Sequence, residues 1–125
     1  MVGAFTWLVN PGNCSGEQYG ATMLIESDAG DRSADAENGS TISVGQRQSS
    51  QPVVVSGSSG TRRTYLYGKD SQSMSGDSLA GATEVLYIVV TGGRTYFAAY
   101  WHYPADPDLT ADFDRMVTGT LKFFA

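Results

Sequence analysis

The chain has 125 residues, with 13 acidic against 8 basic side chains and a formal net charge of −5. That length suits one domain, able to bury roughly two-thirds of its unfolded surface around a single core. Its basic residues are scattered apart from Arg62-Arg63, so the acidic surface repels phosphate backbones and a nucleic-acid partner is not expected. No apolar run approaches the ~18 residues of a membrane-spanning helix, and no charged segment precedes an apolar stretch at the start, so neither a span nor an export signal is read.

Ala4-Phe5-Thr6-Trp7-Leu8-Val9 alternates as a strand and is stopped by Asn10-Pro11-Gly12-Asn13. Cys14 is alone, so no intrachain disulfide can form; it reads as a small hydrophobe. Thr22-Met23-Leu24-Ile25-Glu26 is the next strand. Residues 27–40 are Asp, Gly, Ser and Ala without periodic apolar positions, which predicts a surface loop. Thr41-Ile42-Ser43-Val44 alternates, and Val53-Val54-Val55 forms a short strand after Pro52. Gly57-Ser58-Ser59-Gly60 reads as a flexible turn into Arg62-Arg63-Thr64-Tyr65-Leu66-Tyr67, with Arg63, Tyr65 and Tyr67 on one face. A second long polar loop spans 69–81.

The strongest signal lies at 84–103. Val85-Leu86-Tyr87-Ile88-Val89-Val90 and Arg94-Thr95-Tyr96-Phe97-Ala98-Ala99-Tyr100-Trp101-His102-Tyr103 flank Gly92-Gly93, which suits the positive φ angles of a two-residue hairpin turn. That turn sets Leu86 opposite Ala99, Tyr87 opposite Ala98, Ile88 opposite Phe97 and Val89 opposite Tyr96. Both faces are apolar, which predicts central strands. After Pro104, Asp106 reads as an N-cap, Pro107 as the first helical residue, and Leu109, Phe113, Met116 and Val117 as the apolar stripe of a helix over 107–118 ended by Gly119. Leu121-Lys122-Phe123-Phe124 alternates as a terminal strand or tail.

The fold expected is α+β: a mainly antiparallel sheet of about six or seven strands with the C-terminal helix packed on one face. Leu86, Ile88, Phe97, Ala99 and Trp101 form the apolar surface expected to receive the helix. The other face gathers Tyr87, Tyr96, Tyr100 and His102, joined by Tyr65 if its strand pairs with the same orientation. A tyrosine offers a large apolar body with a polar tip, so Tyr65, Tyr87, Tyr96, Tyr100 and His102 are the candidate ligand-binding residues.

Gly92-Gly93-Arg94-Thr95-Tyr96, Tyr100-Trp101-His102-Tyr103-Pro104, Asp112-Phe113-Asp114-Arg115-Met116-Val117 and Leu121-Lys122-Phe123 together resemble the closing hairpin, helix and strand of PsbP-like domains. In particular they are similar to actinobacterial cell-envelope lipoproteins of the LpqN type. The resemblance covers residues 84–124, about a third of the chain. It implies an antiparallel sheet flanked by helices and a non-catalytic role outside the cell or in its envelope.

Two chemical signatures compete with that reading. Gly76-Asp77-Ser78-Leu79 spells the GDSL signature of hydrolases whose serine is the nucleophile, but a serine needs an oriented base. The sole histidine, His102, has Ala99 three residues before it in place of an aspartate. Asp28, Asp31, Asp35 and Glu37 supply the oxygens calcium favours, in a spacing that fits no calcium loop. One histidine and one cysteine make a poor zinc set. The expectation is therefore a non-enzymatic binding or sensor domain without a cofactor, whose partner is a small ligand or a protein. The alternatives are a hydrolase using Ser78 and an inhibitor or immunity-type protein acting through its acidic surface.

Overall fold

The computed structural model describes residues 2–9, 19–36, 45–69 and 79–119, with side chains described at 23–34, 45–69 and 79–119. The elements are β1 (Val2–Val9), β2 (Tyr19–Ala29), a 3-10 turn (Ser33–Ala36), β3 (Gln46–Val55), β4 (Ser58–Leu66), β5 (Thr83–Thr91), β6 (Arg94–His102) and α1 (Thr110–Gly119). All strand pairings are antiparallel, in the order β1-β2-β6-β5-β4-β3. With the single C-terminal helix this is an α+β fold. Strands whose side chains are described number five, β2 to β6, against the expected six or seven. The strand predicted at 41–44 and the one at 121–124 lie outside the described residues.

The β5–β6 hairpin occupies the centre, and its register matches the expectation: Leu86 pairs with Ala99, Tyr87 with Ala98, Ile88 with Phe97 and Val89 with Tyr96. Gly92 and Gly93 have φ of 60° and 75°, the left-handed pair of a primed turn. The β3–β4 hairpin is a correction. Its turn residues are Ser56 and Gly57, at φ 49° and 81°, so Ser58, Ser59 and Gly60 belong to a strand. β3 is also far longer than its Val53–Val55 end and carries a register irregularity between Arg47 and Ser49. Its Gln- and Ser-rich half could pass for a loop because an edge strand facing water needs no apolar alternation.

The loop predicted at 27–40 is partly ordered. Residues 27–29 continue β2, and the chain then turns at Gly30, φ 78°. Behind it the buried Thr95 hydroxyl accepts from the Arg32 N–H and donates to the Gly30 carbonyl, both at 2.7 Å. Asp31 then starts the 3-10 turn by accepting from the Ser33 N–H and hydroxyl, which hold its carboxyl below the usual carboxylate range.

Two apolar layers result. On one side of the sheet lie Met23, Val55, Val85, Tyr87, Val89, Ala98 and Tyr100, packed with Phe113 and Val117 of α1. On the other lie Tyr65, Leu86, Ile88, Phe97 and Ala99, continuous with Leu24 and Trp101. The helix therefore docks on the face opposite the one expected. Both faces are apolar, so composition could not choose between them. The selecting feature is polar: the Tyr87 and Tyr100 hydroxyls meet Asp114 and the Leu109 N–H at the helix.

Asp108, rather than Asp106, caps the helix. Its carboxylate accepts from the Thr110 N–H at 2.9 Å and from the Thr110 hydroxyl at 2.6 Å, and these bonds hold its carboxyl low. Asp106 is used one turn earlier, where its N–H bonds to the Tyr103 carbonyl and its own carbonyl meets His102 Nε2. Asp108→Ala is expected to cost about 1 kcal/mol in chemical denaturation, whereas Asp106→Ala, which keeps its backbone bonds, should cost less. An equal or reversed order would return the cap to Asp106.

Candidate functional site

The five residues nominated as a ligand face do not form one surface. Tyr87 and Tyr100 come together beneath α1, with Phe113 against both rings at centroid distances of 5.8 and 5.6 Å. Tyr96 and His102 point to the same side of the sheet but are half-buried, and neither belongs to the cluster under the helix. Tyr65 lies on the opposite side. The β4–β5 register sets Arg62 opposite Tyr87 and Tyr65 opposite Glu84, so Arg62, not Tyr65, shares the Tyr87 face. A strand has a side-chain period of two, and a pairing one residue away from the assumed one reverses every side chain.

The helix side carries one polar cradle. Arg62 Nε and Nη2 donate to the two carboxylate oxygens of Asp114, each at 3.0 Å, in a fork-to-fork pair. Tyr87 Oη donates to Asp114 Oδ1 at 2.5 Å, and the guanidinium lies 6.0 Å from the Tyr87 ring centroid. The carboxylate raises the Arg62 pKa further. The Tyr87 hydroxyl is pushed up to about 12, first by burial and then by the Asp114 carboxylate it donates to, with Arg62 pulling partly the other way. Burial also raises Tyr100, opposed by the Leu109 N–H that its oxygen accepts.

These phenols hold their protons more tightly folded than unfolded. Their contribution is complete below a pH of about 10, the ordinary tyrosine value, and is lost as pH climbs toward 12. Urea midpoints should therefore fall through that window, and Tyr87→Phe should flatten the fall. A Tyr87→Phe profile as steep as the wild type would show that the alkaline loss arises elsewhere.

The opposite side contains the arrangement that sequence inspection missed. Glu84 is fully buried, at 0% exposure, among aromatic rings. Its Oε1 accepts from Tyr67 Oη at 2.6 Å, and Tyr67 Oη accepts from Trp101 Nε1 at 3.1 Å. Glu84 stands between Tyr65 on β4 and Trp101 on β6 in the ladder. Leu79, Ala82 and Tyr103 close the same corner, where the Tyr67 N–H bonds to the Ala82 carbonyl and the Gly81 N–H to the Tyr67 carbonyl. The signal was present in the alternation: Glu84 has the parity of Leu86 and Ile88, a core face, so it is a carboxylate in a core position rather than a strand boundary. Burying a carboxyl group is costly unless it is hydrogen-bonded, and the indole-to-phenol-to-carboxyl chain supplies such a bond at Oε1.

Among the described residues no group of three or more His, Cys, Asp and Glu side chains is placed to hold a metal, and no helix is long and apolar enough to cross a membrane. Asp28 is paired in β2 and the Asp31 carboxylate is engaged by Ser33. Glu37, the Asp35 side chain, Cys14 and Ser78 lie outside what is described, so the expected acidic loop and the Gly76-Asp77-Ser78-Leu79 signature gain no geometry.

No family model matches the chain, and no curated protein does. Among solved structures, a protein of unknown function from Pseudomonas aeruginosa, PA94, described as a putative regulator, aligns over 100% of this chain and 85% of its own, with a TM-score of 0.66 and 12% identity. At that identity the likeness shows a shared fold alone.

Proposed function

We propose that this chain is a non-enzymatic binding or sensor domain of the bacterial cell envelope, and that it meets its ligand or partner through the sheet face away from α1. The observation that carries this reading is the fully buried Glu84, hydrogen-bonded by Tyr67 and neighboured by Tyr65 and Trp101, on a face where Arg63 and Glu26 also stand beside the apolar Leu86 and Phe97. An aliphatic residue there would pack without the desolvation of a carboxylate. Polar groups set among aromatic rings are what fixes the orientation of a bound molecule. Of the originally nominated residues, Tyr65 belongs to this site. Tyr87 and Tyr100 serve the helix, while Tyr96 and His102 lie on the helix side of β6 outside the cluster under α1.

The envelope assignment rests on the resemblance of residues 84–124 to LpqN-type domains, and the description of PA94 as a putative regulator is compatible with a protein that acts by binding. The test is partner capture from an envelope extract by the wild type, Tyr65→Phe and Glu84→Gln, each first shown to keep a cooperative thermal transition. Loss of at least about tenfold in capture, equivalent to ~1.4 kcal/mol, is expected for both variants. Undiminished capture by both would move the site elsewhere. Ester hydrolysis by the wild type that disappears in Ser78→Ala would replace the binding reading with the hydrolase one.

A further inference from the structure

Folding gathers cations that the sequence spreads out. Residues 38–69 hold four of the chain's eight basic side chains, Arg47, Arg62, Arg63 and Lys69, and none of its 13 acidic ones. The strands that carry three of them, β3 and β4, lie together at one end of the sheet. Arg62 is spent on Asp114 beneath the helix. Arg47 and Arg63 stand on the other side of the sheet, because Arg47 pairs with Tyr65 and Arg63 shares the parity of Tyr65 in β4. The exposed Lys69 follows shortly after β4. β3 is also open along its length. Among the described residues it has β4 as its single strand neighbour, and from Gln46 to Val54 every residue except Ser49 and Val53 is exposed, Val54 at 65%.

An open edge presents backbone N–H and C=O groups to any extended chain that can continue the ladder, at a strand spacing of about 4.8 Å. We propose that the β3 edge is a docking site for an acidic extended segment of a partner protein, added to the sheet as a further strand. The charge on the edge chooses the partner. Gln46–Val55 contains Arg47 and no carboxylate, so two β3 edges would meet without opposite charges across the seam, whereas an acidic strand brings a carboxylate beside Arg47. A nucleic acid could answer the charge but cannot extend a peptide ladder. Register adds a second requirement. Arg47 and Val54 pair with Tyr65 and Ser59, which have the same parity in β4, so both side chains face away from α1. A fitting segment therefore sets a carboxylate beside Arg47 and, on the same face, a β-branched residue beside Val54. Pro52 and the irregularity between Arg47 and Ser49 interrupt the edge. Such interruptions restrain indiscriminate pairing, which leaves side-chain charge to discriminate. Neither Glu84 nor Tyr67 takes part, so the edge binds its segment whether or not the face away from α1 holds a ligand.

The test titrates the full-length chain with three synthetic peptides of about ten residues, long enough to span β3. One alternates Glu and Val, one alternates Lys and Val, and one alternates Glu and Pro, which keeps the charge but loses half of its backbone donors. The Glu-Val peptide is expected to bind at low salt with a dissociation constant below about 1 mM and to slow amide exchange within 46–55, leaving β2 unchanged. The other two should bind at least about tenfold more weakly. Arg47→Glu should weaken the Glu-Val peptide by at least about threefold without moving the thermal transition, and Arg47→Gln, a milder change, should weaken it less. Equal binding of the Lys-Val or the Glu-Pro peptide would overturn the proposal. So would no binding of the Glu-Val peptide at about 1 mM, protection confined to other strands, or undiminished binding by both Arg47 variants. A dimer of the chain alone, seen by light scattering with the 46–55 amides protected, would give the edge to a second copy and overturn it as well.

Discussion

Replacing Phe113 by alanine is expected to cost about 3–5 kcal/mol, lowering the thermal midpoint by roughly 10–20 °C. The ring is fully buried and stands against both Tyr87 and Tyr100, at the middle of the only described helix. Its loss leaves a cavity between the helix and the sheet that two phenols, fixed through their hydroxyls to Asp114 and Leu109, cannot swing to fill. The same variant reports which face the helix covers. A double-mutant cycle with Tyr100→Ala should show about 0.5–1.5 kcal/mol of coupling, and one with Leu86→Ala, across the sheet, close to none. A cost below ~1 kcal/mol, or coupling to Leu86 in place of Tyr100, would put the helix on the other face.

Gly60→Ala is the second large effect, at about 3 kcal/mol. A Cβ at this position would lie 2.7 Å from the Ile88 carbonyl oxygen and 2.7 Å from Val89 Cγ2. The carbonyl belongs to the neighbouring strand's backbone and cannot rotate away, so β4 and β5 would have to part. The reason differs from that at Gly57, where a Cβ meets open space and the objection is the left-handed φ of 81°. Gly57→Asn should therefore be tolerated, since asparagine adopts that conformation, while no side chain suits Gly60. A Gly60→Ala loss no greater than that of Gly57→Ala would show that the strands separate easily here. Gly60, read from sequence as part of a turn, is in the structure a contact residue of a strand.

His102 illustrates why the candidate site was only partly legible. As the sole histidine it drew attention on chemical grounds, yet its Nε2 faces the Asp106 carbonyl in the corner that delivers the helix. Glu84 drew none because it sits at the end of an apolar run, where a charge ordinarily marks the start of solvent. Only the folded sheet shows that Tyr67 stands ready to donate to it, while accepting in turn from Trp101.

What the sequence by itself determined was local. Two glycines between two β-branched and aromatic runs specify a primed turn, a primed turn specifies a register, and the register of β5 with β6 follows pair by pair. An apolar stripe at helical spacing likewise determined that 107–118 contains a helix, with only its cap displaced by two residues. The tertiary structure decided which way each surface faces. Whether Tyr65 joins Tyr87 depends on a one-residue choice in the β4–β5 pairing, and side-chain alternation within β4 is the same for either choice. Which apolar face takes the helix depends on Arg62, Tyr87 and Asp114, residues 25 and 27 positions apart in the chain that become partners only after the sheet has formed. Hydrophobic pattern is non-directional, roughly proportional to area, and equal on the two sides of this hairpin. Hydrogen bonds between distant side chains are directional, and they break the tie.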